Sequence, residues 1–82
     1  KLRRCSSVGA LSRVEGTVQI HNSGEVHIGE RVRIRATHVP VELASLGGGV
    51  LIIGARTFIN SGVSICAARR VQIGEACAIG NY

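Results

Sequence analysis

Three histidines (His21, His27, His38) and three cysteines (Cys5, Cys66, Cys77) are the side chains of this 82-residue chain best suited to metal or nucleophilic chemistry. Five Glu and no Asp complete the acid–base set. An imidazole can ligate zinc or take a proton near neutral pH. A thiol becomes a nucleophile only where its surroundings favour the thiolate. The cysteines are odd in number and form no Cys-x-x-Cys pair. That fits neither a disulfide framework nor a zinc ribbon, and it suits a reducing compartment, so the expected location is cytoplasmic. Gly47-Gly48-Gly49 is no phosphate loop, because no Lys-Ser/Thr pair follows it.

Ten Lys and Arg against five Glu give a net charge of +5. A nucleic-acid binder can be this basic. Single-strand binders also need aromatic stacking platforms, and Phe58 and Tyr82 are the only aromatics. The expectation is a solvated basic surface with no nucleic-acid partner. Gly47 to Ala55, the longest charge-free apolar stretch, has nine residues, against about 20 for a spanning helix. No membrane partner is expected. Lys1-Leu2-Arg3-Arg4 leads into polar Ser6-Ser7, which is no signal peptide. With no Met anywhere, the sequence is expected to be part of a longer product.

The elements that must position these residues follow from the apolar pattern. Ten Val and nine Ile stand against five Leu, and β-branched side chains favour pleated strands over helix. Three stretches align without gaps: Val26 to Ile34, Leu51 to Ile59 and Val71 to Ile79. Each reads apolar, x, Ile, Gly, x, x, small, x, Ile. A weaker copy, Gly16-Thr17-Val18-Gln19-Ile20, precedes them. Ile28 and Ile34, then Ile53, Ile59 and Ile65, then Ile73 and Ile79 are six residues apart. A helix would scatter such positions around its circumference. A coil with a corner every six residues gathers all seven inside. Gly then permits the close corner, and Val32, Thr57, Val63 and Cys77 fill a narrow interior slot.

Three sides of six residues make a triangular turn of about eighteen residues. Ile53 to Ile73 is twenty, which places a two-residue insertion around Ala68-Arg69-Arg70. Ile28 to Ile53 is twenty-five, and Leu43–Gly49 reads as a protruding loop. The predicted fold is all-β, a parallel solenoid of about four coils. Residues 1–14 serve as lead-in or cap, and residues 15–82 form the coil with its loop near 43–49.

From about Val18 to Tyr82, and most clearly in Leu51-Ile52-Ile53-Gly54-Ala55-Arg56-Thr57-Phe58-Ile59-Asn60-Ser61-Gly62-Val63-Ser64-Ile65, the chain resembles the hexapeptide-repeat acyltransferases. Within them it is similar to the maltose, galactoside and nodulation-type sugar O-acetyltransferases. The resemblance implies a left-handed parallel β-helix, an exception to the usual right-handed crossover. It implies a homotrimer with acyl-CoA, normally acetyl-CoA, as co-substrate in a groove between subunits, no tightly bound cofactor, and a sugar-like acceptor. Asn60 matches an asparagine that helps hold the acceptor. The family's base is a histidine in an Asp-x-x-x-His type segment, expected about ten residues past Tyr82 by analogy alone. The resemblance therefore assigns no catalytic residue here, and whether this stretch is itself an enzyme stays open. The alternatives are a non-catalytic β-helical trimerisation module and the β-helical tail of a sugar nucleotidyltransferase.

The repeat also assigns directions. His27 lies between inward Val26 and Ile28 and should point out, and His21 and His27 should fall on sides facing different ways. His38 precedes Pro40 in the least regular part. No metal site is expected of these three. Cys77 occupies the interior slot, and Cys66 follows an inward Ile and has no assigned role. Asn60 stands where three other units carry Gly, so it is expected as a left-handed turn residue, an acceptor contact, or both. Arg69 and Arg70 are either solvated corner residues or contacts for CoA phosphates.

Overall fold

The computed structural model describes residues 4–80, so Lys1 to Arg3, Asn81 and Tyr82 lie outside the described residues. Nine strands and no helix occur among them: β1 (Ser7–Val8), β2 (Arg13–Asn22), β3 (Glu25–Ile28), β4 (Arg33–Ser45), β5 (Val50–Ile53), β6 (Phe58–Ile59), β7 (Ser64–Ala67), β8 (Arg70–Ile73) and β9 (Ala78–Ile79). Every pairing is parallel and joins strands one turn apart. One sheet runs β1-β3-β5-β8. The other runs β2-β4-β6-β9, with β7 also on β4. Long β2 and β4 each bend through a corner, so they supply two sides of their turns. The chain is a parallel β-solenoid.

The register sets the pitch. Val8 pairs with Ile28, Ile28 with Ile53 and Ile53 with Ile73. The turns therefore take twenty, twenty-five and twenty residues. Eighteen per turn predicts four coils, whereas the described chain completes about three and only begins the next. The difference lies on the third side. Ile20 to Ile28 and Ile65 to Ile73 each span eight residues, so the two-residue excess near Ala68-Arg69 recurs in the first turn as Ser23-Gly24.

The second turn's five further residues are divided. Gly16 pairs with Ala36 but Val18 with Val41, so three of them fall between Ala36 and Val41. Pro40 sits in that break, where its missing N–H leaves no rung unmade. Asn22 pairs with Ser45 and Glu25 with Val50, so the other two fall in Leu46–Gly49. Leu43, Ala44 and Ser45 remain strand residues. β1 is paired in register as well, so the lead-in supplies the first strand of the stack.

Inside, Ile28, Ile34, Ile53 and Ile59 are buried with Val26, Val32, Val41, Leu43 and Leu51. Ile65, Ile73 and Ile79 also point inward but are half-buried, because no complete described turn stacks over them. In the narrow slot Val32 and Thr57 are buried, while Cys77 of the last turn is half-buried. Buried hydroxyls are satisfied: Thr57 Oγ1 donates to Gly74 O at 3.0 Å, Ser45 Oγ to Asn22 Oδ1 at 2.9 Å, and Ser61 Oγ to Arg35 O at 2.9 Å.

The corners use two devices. Gly29 and Gly54 form a column whose Cβ would lie 2.7 and 2.6 Å from backbone of the next turn. Here Gly is required by close approach. Two residues later comes the left-handed position, taken by Leu11, Arg31, Arg56 and Ala76 at φ 62°, 55°, 60° and 53°. Each of Arg31, Arg56 and Ala76 donates its N–H to the corner carbonyl of the turn before, at 2.8 to 2.9 Å. That bond offsets the αL cost of about 1 kcal/mol or more per residue.

Candidate functional site

Asn60 closes β6 at the corner between the second and third sides. It is half-buried, its Oδ1 accepts the Ser61 N–H at 2.8 Å, and its own N–H donates to Ile79 O at 2.9 Å. Asn60 is not left-handed. Gly62, two residues on, takes that conformation at φ 79°. The expected left-handed turn role is therefore corrected: the amide caps the backbone of the turn instead of occupying its αL position.

The three-residue excess of the second turn brings His38 to this corner. Its N–H donates to Ser61 Oγ at 3.5 Å, and Gly62 N–H donates to the neighbouring Val39 O at 3.2 Å. Sequence spacing alone sets His38 apart from Asn60, because an eighteen-residue turn does not reveal which side absorbs the extra residues. The corner thus holds an amide, a buried hydroxyl and an exposed histidine.

A second constellation lies on the outer face of the first side. Ser7 is directly across from His27, and Glu25 precedes it by two on the same face. Ser7 Oγ lies 2.7 Å from His27 Nδ1, and His27 Nε2 lies 2.8 Å from Glu25 Oε1. With the imidazole protonated on Nε2, the hydroxyl donates to Nδ1 and Nε2–H donates to the carboxylate. The order is that of a nucleophile, a base and an orienting acid. Its side chains are open to water, His27 being 34% and Glu25 58% exposed, and exposed pairs of this kind contribute about 0–1 kcal/mol. Finding it from the sequence requires the true twenty-residue pitch, which sets Ser7 across from His27; a turn of eighteen does not.

His21, Ala44 and Cys66 are stacked in one outward column. His21 and Cys66 are thus two strand spacings apart, about 9.6 Å, too far for a base to reach the thiol. Cys66 is exposed, and Cys77 Sγ faces Glu75 O at 3.6 Å. Arg69 and Arg70 are exposed at the third corner, with Arg70 Nη2 donating to Gln72 Oε1 at 3.3 Å. Among the described residues, no three His, Cys, Asp or Glu side chains converge as a metal site would require.

The fold and these sites define a β-solenoid of short repeats. Comparison with protein-family models, with curated proteins and with solved structures returned no match.

Proposed function

We propose that the chain is the scaffold of an acyl-CoA-dependent O-acyltransferase, transferring an acetyl or other short acyl group to a sugar-like hydroxyl. What supports this is the stack itself: inward Ile at six-residue steps, glycine columns at the corners, and Asn60 at the end of a strand in the third turn. The hexapeptide-repeat acyltransferases resemble it in each respect. A sugar hydroxyl is a poor nucleophile and needs a positioned base. Asn60 would orient the acceptor. The base would come from a histidine following the stretch; His38, whose backbone N–H meets Ser61 Oγ at this corner, is the alternative that the test below separates. The thioester carbonyl would be attacked by the acceptor oxygen, with CoA thiol leaving.

In this proposal three copies pack side by side and acyl-CoA lies between them. Folding at this size removes only about 60–65 % of the unfolded chain's surface from water, so burying sides between copies adds stability. The test is thiol release from acetyl-CoA with a panel of sugars. It is run on this stretch, on a version extended past Tyr82, and on His38→Gln in both. The extended form should turn over and the short form should be about 10²–10⁴-fold slower. Comparable rates, abolished by His38→Gln, would transfer the base to His38. No turnover and no CoA binding by either form would favour the trimerisation module.

A further inference from the structure

The outer face of the second side carries more positive charge than nearby carboxylates answer. Arg13 on β2 and Arg33 on β4 lie directly across from each other. Adjacent strands are about 4.8 Å apart, and like charges so opposed repel. Arg31 stands at the corner leading into β4, its left-handed backbone fixed by the N–H bond to Ala10 O at 2.9 Å. These three arginines and Leu11 line a concavity of about 300 Å³. Glu15 approaches Arg33 only to 3.9 Å, with both side chains more than half exposed. Among the described residues, no carboxylate reaches ion-pairing distance of Arg13 or Arg31.

Leu11 adds an independent observation. It is 64% exposed, so it contributes little to the core, and it holds a left-handed corner at φ 62°. An apolar side chain thus lines the same concavity as the three arginines.

We propose that this hollow binds a phosphomonoester, its dianionic phosphate held by Arg13, Arg31 and Arg33 and its apolar body laid against Leu11. Guanidinium groups match phosphate oxygens in paired hydrogen bonds, and a dianion turns their mutual repulsion into shared attraction. The volume is at the lower end of small-molecule sites, which suits one phosphate and a single ring. The site stands apart from acyl transfer and involves neither Asn60 nor CoA.

Calorimetric titration of the chain at fixed ionic strength tests this, with phenyl phosphate, inorganic phosphate and phenol as probes. Phenyl phosphate should bind one per chain and more tightly than inorganic phosphate, and phenol should not bind. Arg13→Gln should weaken phenyl phosphate about tenfold, the worth of one charge-assisted contact. Arg13→Gln/Arg33→Gln should abolish binding, and Arg69→Gln/Arg70→Gln at the far corner should leave it intact. Leu11→Ser should reduce phenyl phosphate to the affinity of inorganic phosphate. Without ligand, Arg13→Gln should melt no lower than the parent, since it removes a repulsion; this separates lost binding from lost folding. Absence of saturable phosphate binding, or equal affinity in the double variant, overturns the proposal. Binding of a single-stranded oligonucleotide while phenyl phosphate is inert also overturns it, because the arginines then form a polyanion surface.

Discussion

At Gly54 a single methyl group separates a workable stack from a strained one. A Cβ there would meet Gly74 backbone at 2.6 Å, and backbone cannot swing aside as a flexible side chain can. Gly54→Ala should therefore cost at least the 1–3 kcal/mol or so typical of overpacking, read as a shift in the denaturation midpoint. Gly47 differs in cause: a Cβ built there would meet nothing within 4 Å, and what favours glycine is its left-handed backbone at φ 55°. Ile59 is fully buried, so Ile59→Asp places an unpaired charge in the stacked interior. That variant should not fold, and a soluble, cooperatively melting Ile59→Asp would contradict the assigned core.

The cysteines give a third residue-level expectation. Burial pushes the Cys5 thiol above its ordinary value of 9.0, whereas Cys66 is exposed. Burial disfavours the thiolate in the folded chain. The Cys5 contribution to stability is thus fully present below about pH 9 and lost as pH rises further. At pH 8, alkylation followed by mass spectrometry should label Cys66 before Cys5, and equal rates would mean that Cys5 is not packed against the core. Cys66's outward direction was legible from its place after Ile65. The Ser7–His27–Glu25 contacts were not, because they join residues of different turns and depend on the true pitch.

Among the elements, the first sides were the most legible. Ile28–Ile34, Ile53–Ile59 and Ile73–Ile79 keep six-residue spacing with Gly next to the first Ile, and all three pairs fall on the expected corner. The third side hid its length. Its inward alternation is interrupted at the exposed Ser23-Gly24 and Ala68-Arg69, so the pattern does not show that the excess recurs in every turn. The Thr37–Pro40 break was hidden for another reason: Val39 and Val41 continue an alternating pattern across it, although Val39 is exposed and Val41 buried. The Leu46–Gly49 excess is separable from the coil. Deleting Gly47 and Gly48 would restore the eight-residue third side and forfeit the Gly48 N–H bond to Ser23 O and the Gly49 N–H bond to Leu46 O, a loss of about 1 kcal/mol for each. A cooperative denaturation curve with that shift is expected. Loss of folding would show that the loop itself holds β4 and β5 in register.

Across the whole molecule, stability comes from stacking, and each turn is buried by its neighbours. The middle turns are closed, with Leu43, Leu51 and Ile59 fully buried, while Ile65, Ile73 and Ile79 of the last turns are half-exposed. The outer faces differ in chemistry: a Ser–His–Glu row on the first side, arginines on the second, and the Asn60 corner beyond them. All of these placements depend on one register, in which each strand lies over the strand twenty or more residues earlier. Its most direct test uses the native Cys66. Ala44 lies directly across from it, and both point outward. The strand spacing of about 4.8 Å is within the Cα separation a disulfide accepts. Under mild oxidation Ala44→Cys should form an intramolecular bond to Cys66, whereas Gln19→Cys, one turn further away and in a different column, should not. A bond in the Ala44→Cys variant alone is the predicted result; equal cross-linking in both, or cross-linking only from Gln19→Cys, would contradict the stacked register.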